Sequence, residues 1–244
     1  MIKKIYIIIS ALLLIVACSK SDERPCWKFN GEIISKTSEW DIAHYSIELN
    51  DDINLILIND SLNYLTIEGP ENLIEFIDVS FGSENMILSN LNRCDFLRKP
   101  YHVNVYYHYT ELNRVDLKGY GTLSNENVIY HNISIHGNES FSDVNLQLQN
   151  DSTILTFMKG STSVLLSGTC NYLYGYSSGL APFDAGSLIC NKAHGHSTGL
   201  GNFYLNATDQ LTIELRSMGN FYYSGNPIIT NFTQTGTGII INQH

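Results

Sequence analysis

The chain has 244 residues, of which 14 are Lys or Arg and 24 are Asp or Glu, so its formal net charge is −10 at pH 7. Nucleic acid is not an expected partner, because phosphate binding needs clustered basic side chains. Charged residues are only 16% of the sequence, and Asn, Ser, Gly, Thr and Tyr are abundant. This composition is typical of β proteins.

Residues 1–17 predict a signal peptide. Lys3 and Lys4 precede the apolar run IYIIISALLLIVA, which is short for a segment that spans a bilayer. The run ends in Ile15-Val16-Ala17-Cys18, which resembles the lipobox of bacterial lipoproteins. We therefore expect a diacylglyceryl group on the sulfur of Cys18 and cleavage just before this residue. An ordinary signal peptide followed by a chance cysteine is the alternative.

Residues 18–25 are then expected to be a lipidated tether to the bacterial outer membrane or cell surface. The sequence Ser19-Lys20-Ser21-Asp22-Glu23 resembles the short acidic signal that exports Bacteroidota-type lipoproteins to the surface. More than one acyl chain on a protein is enough for stable membrane attachment. No second apolar run of about 20 residues follows, so we expect residues 26–244 to be one domain outside the cytoplasm.

Short segments of alternating apolar and polar residues follow along the chain, and this pattern predicts β-strands. The clearest segments are 53–58, 64–68, 86–88, 103–107, 115–117, 144–148 and 211–215. One helical candidate, residues 71–77, comes directly after Pro70. At most one or two helical turns are expected there, and a continuing strand is the alternative.

Glycine-rich turns separate the later segments and recur at a regular interval. Gly201, Gly219 and Gly238 are almost equally spaced, and a bulky apolar residue follows each within two positions. A repeat this short cannot close its own core, so successive copies must bury their apolar residues against each other. We predict an all-β, single-domain β-helix, or β-solenoid, with rungs of roughly 20 residues. A two-sheet sandwich is the alternative.

Two copies of the repeat, CNYLYGYSSGL from Cys170 and CNKAHGHSTGL from Cys190, follow each other one rung apart. Their superposition places Tyr172 on Lys192, Tyr174 on His194 and Tyr176 on His196. Residues two apart lie on one face of a strand, so the cysteines, tyrosines and histidines are expected to share a face. Because Lys192 indicates that this face is solvated, we interpret Tyr172, Tyr174, Tyr176, His194 and His196 as an aromatic ladder and a possible binding face.

A metal site is the alternative interpretation of His194 and His196. Such a site needs a third ligand and supporting residues around it, and the candidates with ligand character are the distant Asp184 and Asp209. Tyrosine, which fills both positions in the preceding copy, is a poor substitute for an imidazole ligand. We therefore expect no metal and no other cofactor.

The four cysteines that follow Cys18 predict two disulfides in an oxidising compartment. Cys170 and Cys190 are one rung apart, and rungs are spaced by about 4.8 Å. This spacing lies within the range of about 4.4–6.8 Å that a disulfide requires between Cα atoms. Cys26 and Cys94 remain as the second pair, which would tie the N-terminal segment to the region before Pro100.

Two C-terminal stretches, STGLGNFYLNATDQLTIEL and LRSMGNFYYSGNPIITNFTQTGTGIIINQ, and the N-terminal stretch from CWKFNGEI carry a resemblance to a known family. Residues 26–244 resemble the auto-transporter adhesin family called the head GIN domain, whose terminal signature is matched by Tyr223-Ser224-Gly225-Asn226-Pro227. The resemblance implies a right-handed β-helix that is secreted or lipid-anchored, in a family without an established enzymatic activity. The Gly-Ser-Gly of the family is missing at 178–182 and 217–219, so altered corners are expected there.

Two classes of function follow from these observations. Exposed aromatic residues stack on sugars and proteins, so we expect a surface-anchored, non-catalytic protein that acts in adhesion by binding a glycan or protein ligand. The alternative is a carbohydrate-active β-helix enzyme, a polysaccharide lyase or hydrolase, and hydrolysis needs two carboxylates about 5–9.5 Å apart. Asp143, Asp151, Asp184 and Asp209 do not cluster in the sequence, and no GxSxG motif is present. We therefore predict no catalytic residue.

Overall fold

The computed structural model describes residues 29–39, 44–82, 85–93 and 99–243. Within these ranges, no helix is long and apolar enough to cross a membrane. Cys18, Cys26 and Cys94 lie outside the described residues. The signal peptide, the lipidated tether and the disulfide between Cys26 and Cys94 therefore stay predictions.

The first half of the described chain contains short strands and a single helical turn. The strands are β1 (Ile33–Glu39), β2 (Ser46–Asp52), β3 (Asn54–Asn59), β4 (Tyr64–Pro70), β5 (Ile77–Phe81), β6 (Asn85–Asn90), β7 (Asn104–Tyr109), β8 (Arg114–Tyr120) and β9 (Thr122–Asn125). The helix α1 (Glu71–Ile74) has four residues. It begins after Pro70, whose fixed φ suits a helix start, and this confirms the prediction of a very short helix.

The second half contains longer strands. They are β10 (Ile133–Ser140), β11 (Asp143–Gly160), β12 (Ser163–Ser177), β13 (Phe183–Ser197), β14 (Phe203–Leu215), β15 (Phe221–Ser224), β16 (Ile228–Gln234) and β17 (Ile240–Asn242). Parallel pairing coils the chain into a β-solenoid of about six turns. The predicted β-solenoid is confirmed, and the sandwich alternative is wrong.

Each turn of the solenoid contributes one segment to each of two parallel sheets. Sheet 1 contains β2, β8, β10, the second halves of β11 to β14, and β16. Sheet 2 contains β3, β9, the first halves of β11 to β14, β15 and β17. Strands β6 and β7 extend sheets 1 and 2 by one position, beside β2 and β3.

Antiparallel strands cover the N-terminal end of this coil. Strand β5 pairs with β6, β4 pairs with β7, and β1 pairs with β4, all in antiparallel orientation. Strands β2 and β3 consequently lie between β6–β7 on one side and β8–β9 on the other. The layer formed by β2 and β3 therefore comes earlier in the sequence than the layer formed by β6 and β7, although it lies farther from the N-terminal end of the coil. The parallel strands of the coil are thereby paired at this end, and the short strands β1 and β5 become the edge strands of the described residues.

One apolar core fills the space between the two sheets. Phe183, Phe203 and Phe221 of sheet 2 stack inside it, with ring centroids 4.3 and 5.2 Å apart. Glycines of sheet 1 leave room for these rings. A Cβ on Gly175 would lie 2.6 Å from the Phe183 ring, and one on Gly195 would lie 2.6 Å from the Phe221 ring.

Candidate functional site

The predicted ladder lies on the outer surface of sheet 1, in the second halves of β12 and β13. The register pairs Tyr172 with Lys192, Tyr174 with His194 and Tyr176 with His196, as the superposition of the two copies predicted. The three tyrosines and two histidines are half-buried, whereas the intervening residues point into the core. Lys192 is exposed, which confirms that this face is solvated. We call the five aromatic residues with Glu214 the ladder face.

The expectation that the cysteines share this face is wrong. Cys170 and Cys190 are buried in the core, with 6% and 0% of their surface exposed. The chain turns a corner at Asn171 and Asn191 between sheet 2 and sheet 1, so the inside-outside alternation restarts after the corner. These asparagines form a ladder of their own, in which Asn191 Nδ2 donates to Asn171 Oδ1 at 3.1 Å.

Cys170 and Cys190 are nevertheless direct register partners on adjacent turns. Their Sγ atoms are 2.7 Å apart, and both residues are thiols in this structure. The contact with Cys170, together with burial, raises the pKa of the Cys190 thiol. Reaction as a thiolate is therefore disfavoured. The predicted disulfide between them stays a prediction.

The rings of the ladder face meet edge to face and do not stack in parallel. The Tyr174 and His194 centroids are 5.0 Å apart at an interplanar angle of 83°, and those of Tyr176 and His196 are 4.9 Å apart at 73°. Edge-to-face contact is a favoured geometry for aromatic pairs. In addition, the Tyr176 hydroxyl lies 3.2 Å from Thr198 Oγ1. The arrangement fixes the rings and leaves part of each exposed to solvent.

Glu214 of β14 joins the two histidines into one polar cluster. Its Oε1 lies 3.0 Å from His194 Nε2, and its Oε2 lies 3.9 Å from His196 Nε2. Arg216 Nη2 donates to Glu214 Oε2 at 2.7 Å. Burial opposes ionisation of Glu214, but the His194 hydrogen bond, the nearby His196 and Arg216 outweigh it and lower the pKa of this carboxyl. Burial also lowers the pKa of His196.

Sequence reasoning missed Glu214, although the sequence contained a usable signal. The solenoid coil that leads from β13 to β14 contains fewer residues than the coil before it. His196 therefore pairs with Glu214, and His194 pairs with Thr212. The interval from Gly201 to Gly219, which is shorter than that from Cys170 to Cys190, indicates this shorter turn. At the longer interval, Glu214 would instead fall opposite His194. Either interval therefore places this carboxylate beside the histidines.

The Glu214 cluster does not by itself form a metal centre. Across residues 29–39, 44–82, 85–93 and 99–243, no group of three or more His, Cys, Asp or Glu side chains is arranged to hold a metal ion. One oxygen of Glu214 accepts from Arg216, and the other faces His194. The cluster can hold a polar ligand through hydrogen bonds from its imidazoles and guanidinium.

A second polar region lies farther along the same outer surface of sheet 1. Glu48 and Asp116 are direct register partners on β2 and β8. Lys118 Nζ lies 2.6 Å from Glu48 Oε2, and Arg114 donates two hydrogen bonds of 2.7 Å to Asp116. A shallow groove of about 180 Å³ adjoins them, lined by Arg114, Asp116, Leu117, Lys118, His136, Gly137, Asn138, Thr156 and Met158. Sequence spacing gave no indication of this acidic pair, because β2 reaches β8 only through the unusual layer order at the N-terminal end.

The acids singled out in the sequence are not brought together. Asp151 accepts a hydrogen bond from Asn171 at 3.0 Å, and Asp184 accepts one from the backbone N–H of Gly186 at 2.9 Å. Asp143 lies at the start of β11, opposite Thr122 and Ser163. These carboxylates therefore have structural positions that are separate from the ladder face.

The coil, its antiparallel cover and the open outer surface of sheet 1 define a β-solenoid domain whose outer surface displays polar and aromatic side chains without enclosing them. The chain belongs to the family described as "Putative auto-transporter adhesin, head GIN domain", whose model matches residues 44–227. This confirms the resemblance drawn from the sequence. No curated protein matches the chain.

Several solved structures share this fold. A protein from Bacteroides fragilis described as a putative adhesin is 24% identical, with a TM-score of 0.78, over 87% of this chain and 97% of that chain. A putative adhesin from Parabacteroides merdae is 15% identical, with a TM-score of 0.64, over 88% and 98%. A putative lipid binding protein from Parabacteroides distasonis is 15% identical, with a TM-score of 0.60, over 86% and 97%. At these identities the similarity shows the shared fold alone.

Proposed function

We propose that this protein is a lipid-anchored protein of the bacterial outer membrane or cell surface that binds glycan or protein ligands through the ladder face. The adhesin description of its family supports a surface role. The observation that carries the proposal is the set of edge-to-face Tyr and His rings beside the Glu214 carboxylate, on an open sheet surface. Aromatic rings next to hydrogen-bonding groups suit sugar faces and protein side chains alike.

The open shape of the ladder face favours an extended ligand. Parallel strands stack at about 4.8 Å, so the residues of β12, β13 and β14 present a flat surface with a regular spacing. Tyr174 and Tyr176 supply apolar surface, and His194 and Glu214 supply a donor and an acceptor. The histidine and carboxylate are held by Arg216 and by the rings, so little side-chain freedom is lost when a ligand binds.

Binding is tested on a glycan array and, in parallel, on immobilised extracellular-matrix proteins. Tyr174→Ala should weaken binding about tenfold or more, because loss of one aromatic contact with a ligand costs on the order of 1–3 kcal/mol. Tyr222→Ala is the matched control. Tyr222 is a half-buried tyrosine on the outer surface of sheet 2, stacked on Tyr204 at 4.7 Å. Equal losses in both variants would show that the ladder face is not the binding surface.

The anchor is tested separately through Cys18. Cys18→Ser removes the sulfur that carries the lipid in the proposal, so the variant should leave the membrane fraction. Retention of Cys18→Ser in washed membranes to the same extent as the unaltered protein would contradict lipid anchoring at this residue, whatever the outcome of the binding assays.

A carbohydrate-active enzyme is the second candidate, and the pairing of Glu48 with Asp116 beside a groove favours it. Two neighbouring carboxylates are what glycoside hydrolysis requires. Both carboxylates are engaged by Lys118 and Arg114, however, and this favours a structural role. The test is release of reducing ends from polysaccharides. Activity that is lost in both Glu48→Gln and Asp116→Asn would establish the enzyme.

A further inference from the structure

Exposed apolar side chains form a line along one edge of the solenoid. The segments that return the chain from sheet 1 to sheet 2 are 178–182, 198–202, 216–220 and 235–239. Each of these four consecutive turns exposes one large apolar side chain: Leu180 at 64%, Leu200 at 51%, Met218 at 65% and Ile239 at 55%. We call these four residues the apolar corner.

The turns of the apolar corner stack directly on one another. Leu200 N donates to Gly179 O at 2.9 Å, and Gly238 N donates to Ser217 O at 3.0 Å. A Cβ on Gly201 would lie 1.9 Å from Ala181 O, so glycine is required for this close approach. Neighbouring turns are therefore about 4.8 Å apart. Leu180, Leu200 and Met218 occupy equivalent positions on three of them, and Ile239, which precedes the partner of Phe221, lies beside this row, opposite Asn220.

The solenoid does not need these apolar residues for its own packing. They point away from the core, and the preceding turn makes the same kind of return with Gly160 and Ser161 at the level of Leu180, after Met158 at the end of sheet 1. Serine or threonine would be compatible with an exposed turn position. A line of aliphatic side chains in water is unfavourable, so its presence on four successive turns indicates a contact surface.

The charge of this edge is unlike that of the chain as a whole. The four return segments contain no Asp or Glu and one Arg, in a chain with 24 acidic and 14 basic residues. Two of the four earlier return turns, by contrast, carry acidic residues, Asp51 with Asp52 and Glu139. Absence of acidic groups favours approach to lipid headgroups, which acidic side chains would oppose by desolvation or repulsion.

The shape and size of the corner favour a bilayer over a second copy of the chain. Four aliphatic side chains that are half to two-thirds exposed amount to a few hundred Å² of apolar surface. A stable protein interface needs about 800 Å² from each partner. A convex edge also contacts another convex edge along a narrow line, whereas a fluid lipid surface deforms around protruding side chains.

We propose that the apolar corner docks on the lipid surface, with Leu180, Leu200, Met218 and Ile239 inserted at the level of the headgroups. Interfacial insertion of aliphatic side chains is a known mode of membrane association. The contact goes beyond the proposed anchor, and it rests on that anchor for bringing the domain to the bilayer. Docking by an edge holds the solenoid along the membrane and leaves the outer surfaces of both sheets open.

Methionine oxidation tests this contact in the full chain without a label. Met218 belongs to the apolar corner, whereas Met158, exposed at 51%, points outward from sheet 1 three turns away. Limited hydrogen peroxide converts an accessible methionine into its sulfoxide, and peptide mass spectrometry gives both rates. Met218 of the lipidated protein on phosphatidylcholine vesicles should be oxidised at least fivefold more slowly than Met218 of Cys18→Ser protein in buffer without lipid. The Met158 rate should change less than twofold.

Two variants provide matched controls. Thr169→Met introduces a methionine at the opposite corner, where Thr169 is exposed, and that methionine should react equally with and without vesicles. Leu180→Ser with Leu200→Ser should restore most of the Met218 rate on vesicles. Leu165→Ser, at an exposed leucine of sheet 2, should leave the protection intact.

The outcomes separate the docking proposal from the anchor proposal. Unchanged Met218 reactivity in protein that sediments with vesicles would overturn docking and leave the anchor standing. Met218 protection that already occurs in buffer and increases with protein concentration would assign the corner to a second copy and overturn the lipid contact. If lipidation fails, Cys18→Ser protein at high vesicle concentration still reports on the corner, because Met218 protection there requires direct contact with lipid.

Discussion

Gly195 gives the sharpest test of how the core is packed. A Cβ at this position would lie 2.6 Å from both Cε2 and Cζ of Phe221 and 2.9 Å from Leu205 Cδ1. Carbon atoms in contact prefer about 3.5–4.0 Å, so Gly195→Ala requires the Phe221 ring to move by about 1 Å. Phe221 is fully buried and stacks on Phe203, so this movement disturbs the whole aromatic stack.

The expected cost of Gly195→Ala follows from two opposing effects. Overpacking a dense core costs about 1–3 kcal/mol, and replacing glycine in a strand returns about 0.5–1 kcal/mol of backbone entropy. We expect a net loss of about 1–2 kcal/mol in the free energy of unfolding, measured by equilibrium urea denaturation. Gly186→Ala, in the same strand, is the control. A Cβ there would have only Asp184 Oδ1, at 3.2 Å, and Tyr204 Cβ, at 3.8 Å, within 4 Å.

A double-mutant cycle identifies the cause of the loss. Phe221→Leu shortens the side chain that faces Gly195. In that background, Gly195→Ala should lower the free energy of unfolding by at least about 1 kcal/mol less than it does in the unaltered protein. The same cost in both backgrounds, or a stabilising effect of Gly195→Ala in the unaltered protein, would refute the packing argument. It would indicate that the glycine is kept for a reason other than room for the ring.

Three further predictions concern the ladder face and the cysteines. The pKa values of His196 and Glu214 are lowered in the folded protein from reference values of 6.5 and 4.5. The unfolded chain therefore binds more protons than the folded chain as the pH falls, so the free energy of unfolding should decrease from pH 7 to pH 4. A urea midpoint constant over that range would contradict this sign. Replacing both His194 and His196 by Tyr should cost about 1 kcal/mol, mainly through the lost bond to Glu214, and a loss above about 3 kcal/mol would show a larger role. Protein secreted into an oxidising compartment should yield a Cys170–Cys190 disulfide peptide on non-reducing mapping, and recovery of two free thiols would refute the bond.

The register of the ladder face could be predicted because the turns are parallel and nearly equal in length. When two copies of a sequence stack in register, one constant offset gives the neighbour of every residue, as for Tyr174 and His194. The same reasoning paired Cys170 with Cys190. The prediction that the cysteines lie on the same face as the tyrosines was wrong, because the alternation of buried and exposed residues restarts at the corner after Cys170. No Gly or Pro at Asn171 marks this corner in the sequence.

The N-terminal end could not be predicted in the same way because its order in space differs from its order in sequence. Strands β2 and β3 insert between layers that come later in the chain, and the closing strands run antiparallel. No fixed offset relates Glu48 to Asp116, since the intervening residues form the end cover. Such long-range pairing is not encoded in the local alternation of apolar and polar residues, so the sequence patterns used for the later turns carry no information about it.

The two proposed contacts use different parts of the solenoid and can operate together. Within β13 the ladder face ends at His196, and the return segment that carries Leu200 begins two residues later, at Thr198. A corner that touches lipid therefore leaves the adjoining outer surface of sheet 1 directed away from the point of contact. Leu180→Ser with Leu200→Ser should consequently leave ligand binding by the isolated protein unchanged, while Tyr174→Ala should leave Met218 protection on vesicles unchanged. Coupling between these two readouts would mean that the corner and the ladder face belong to one ligand site.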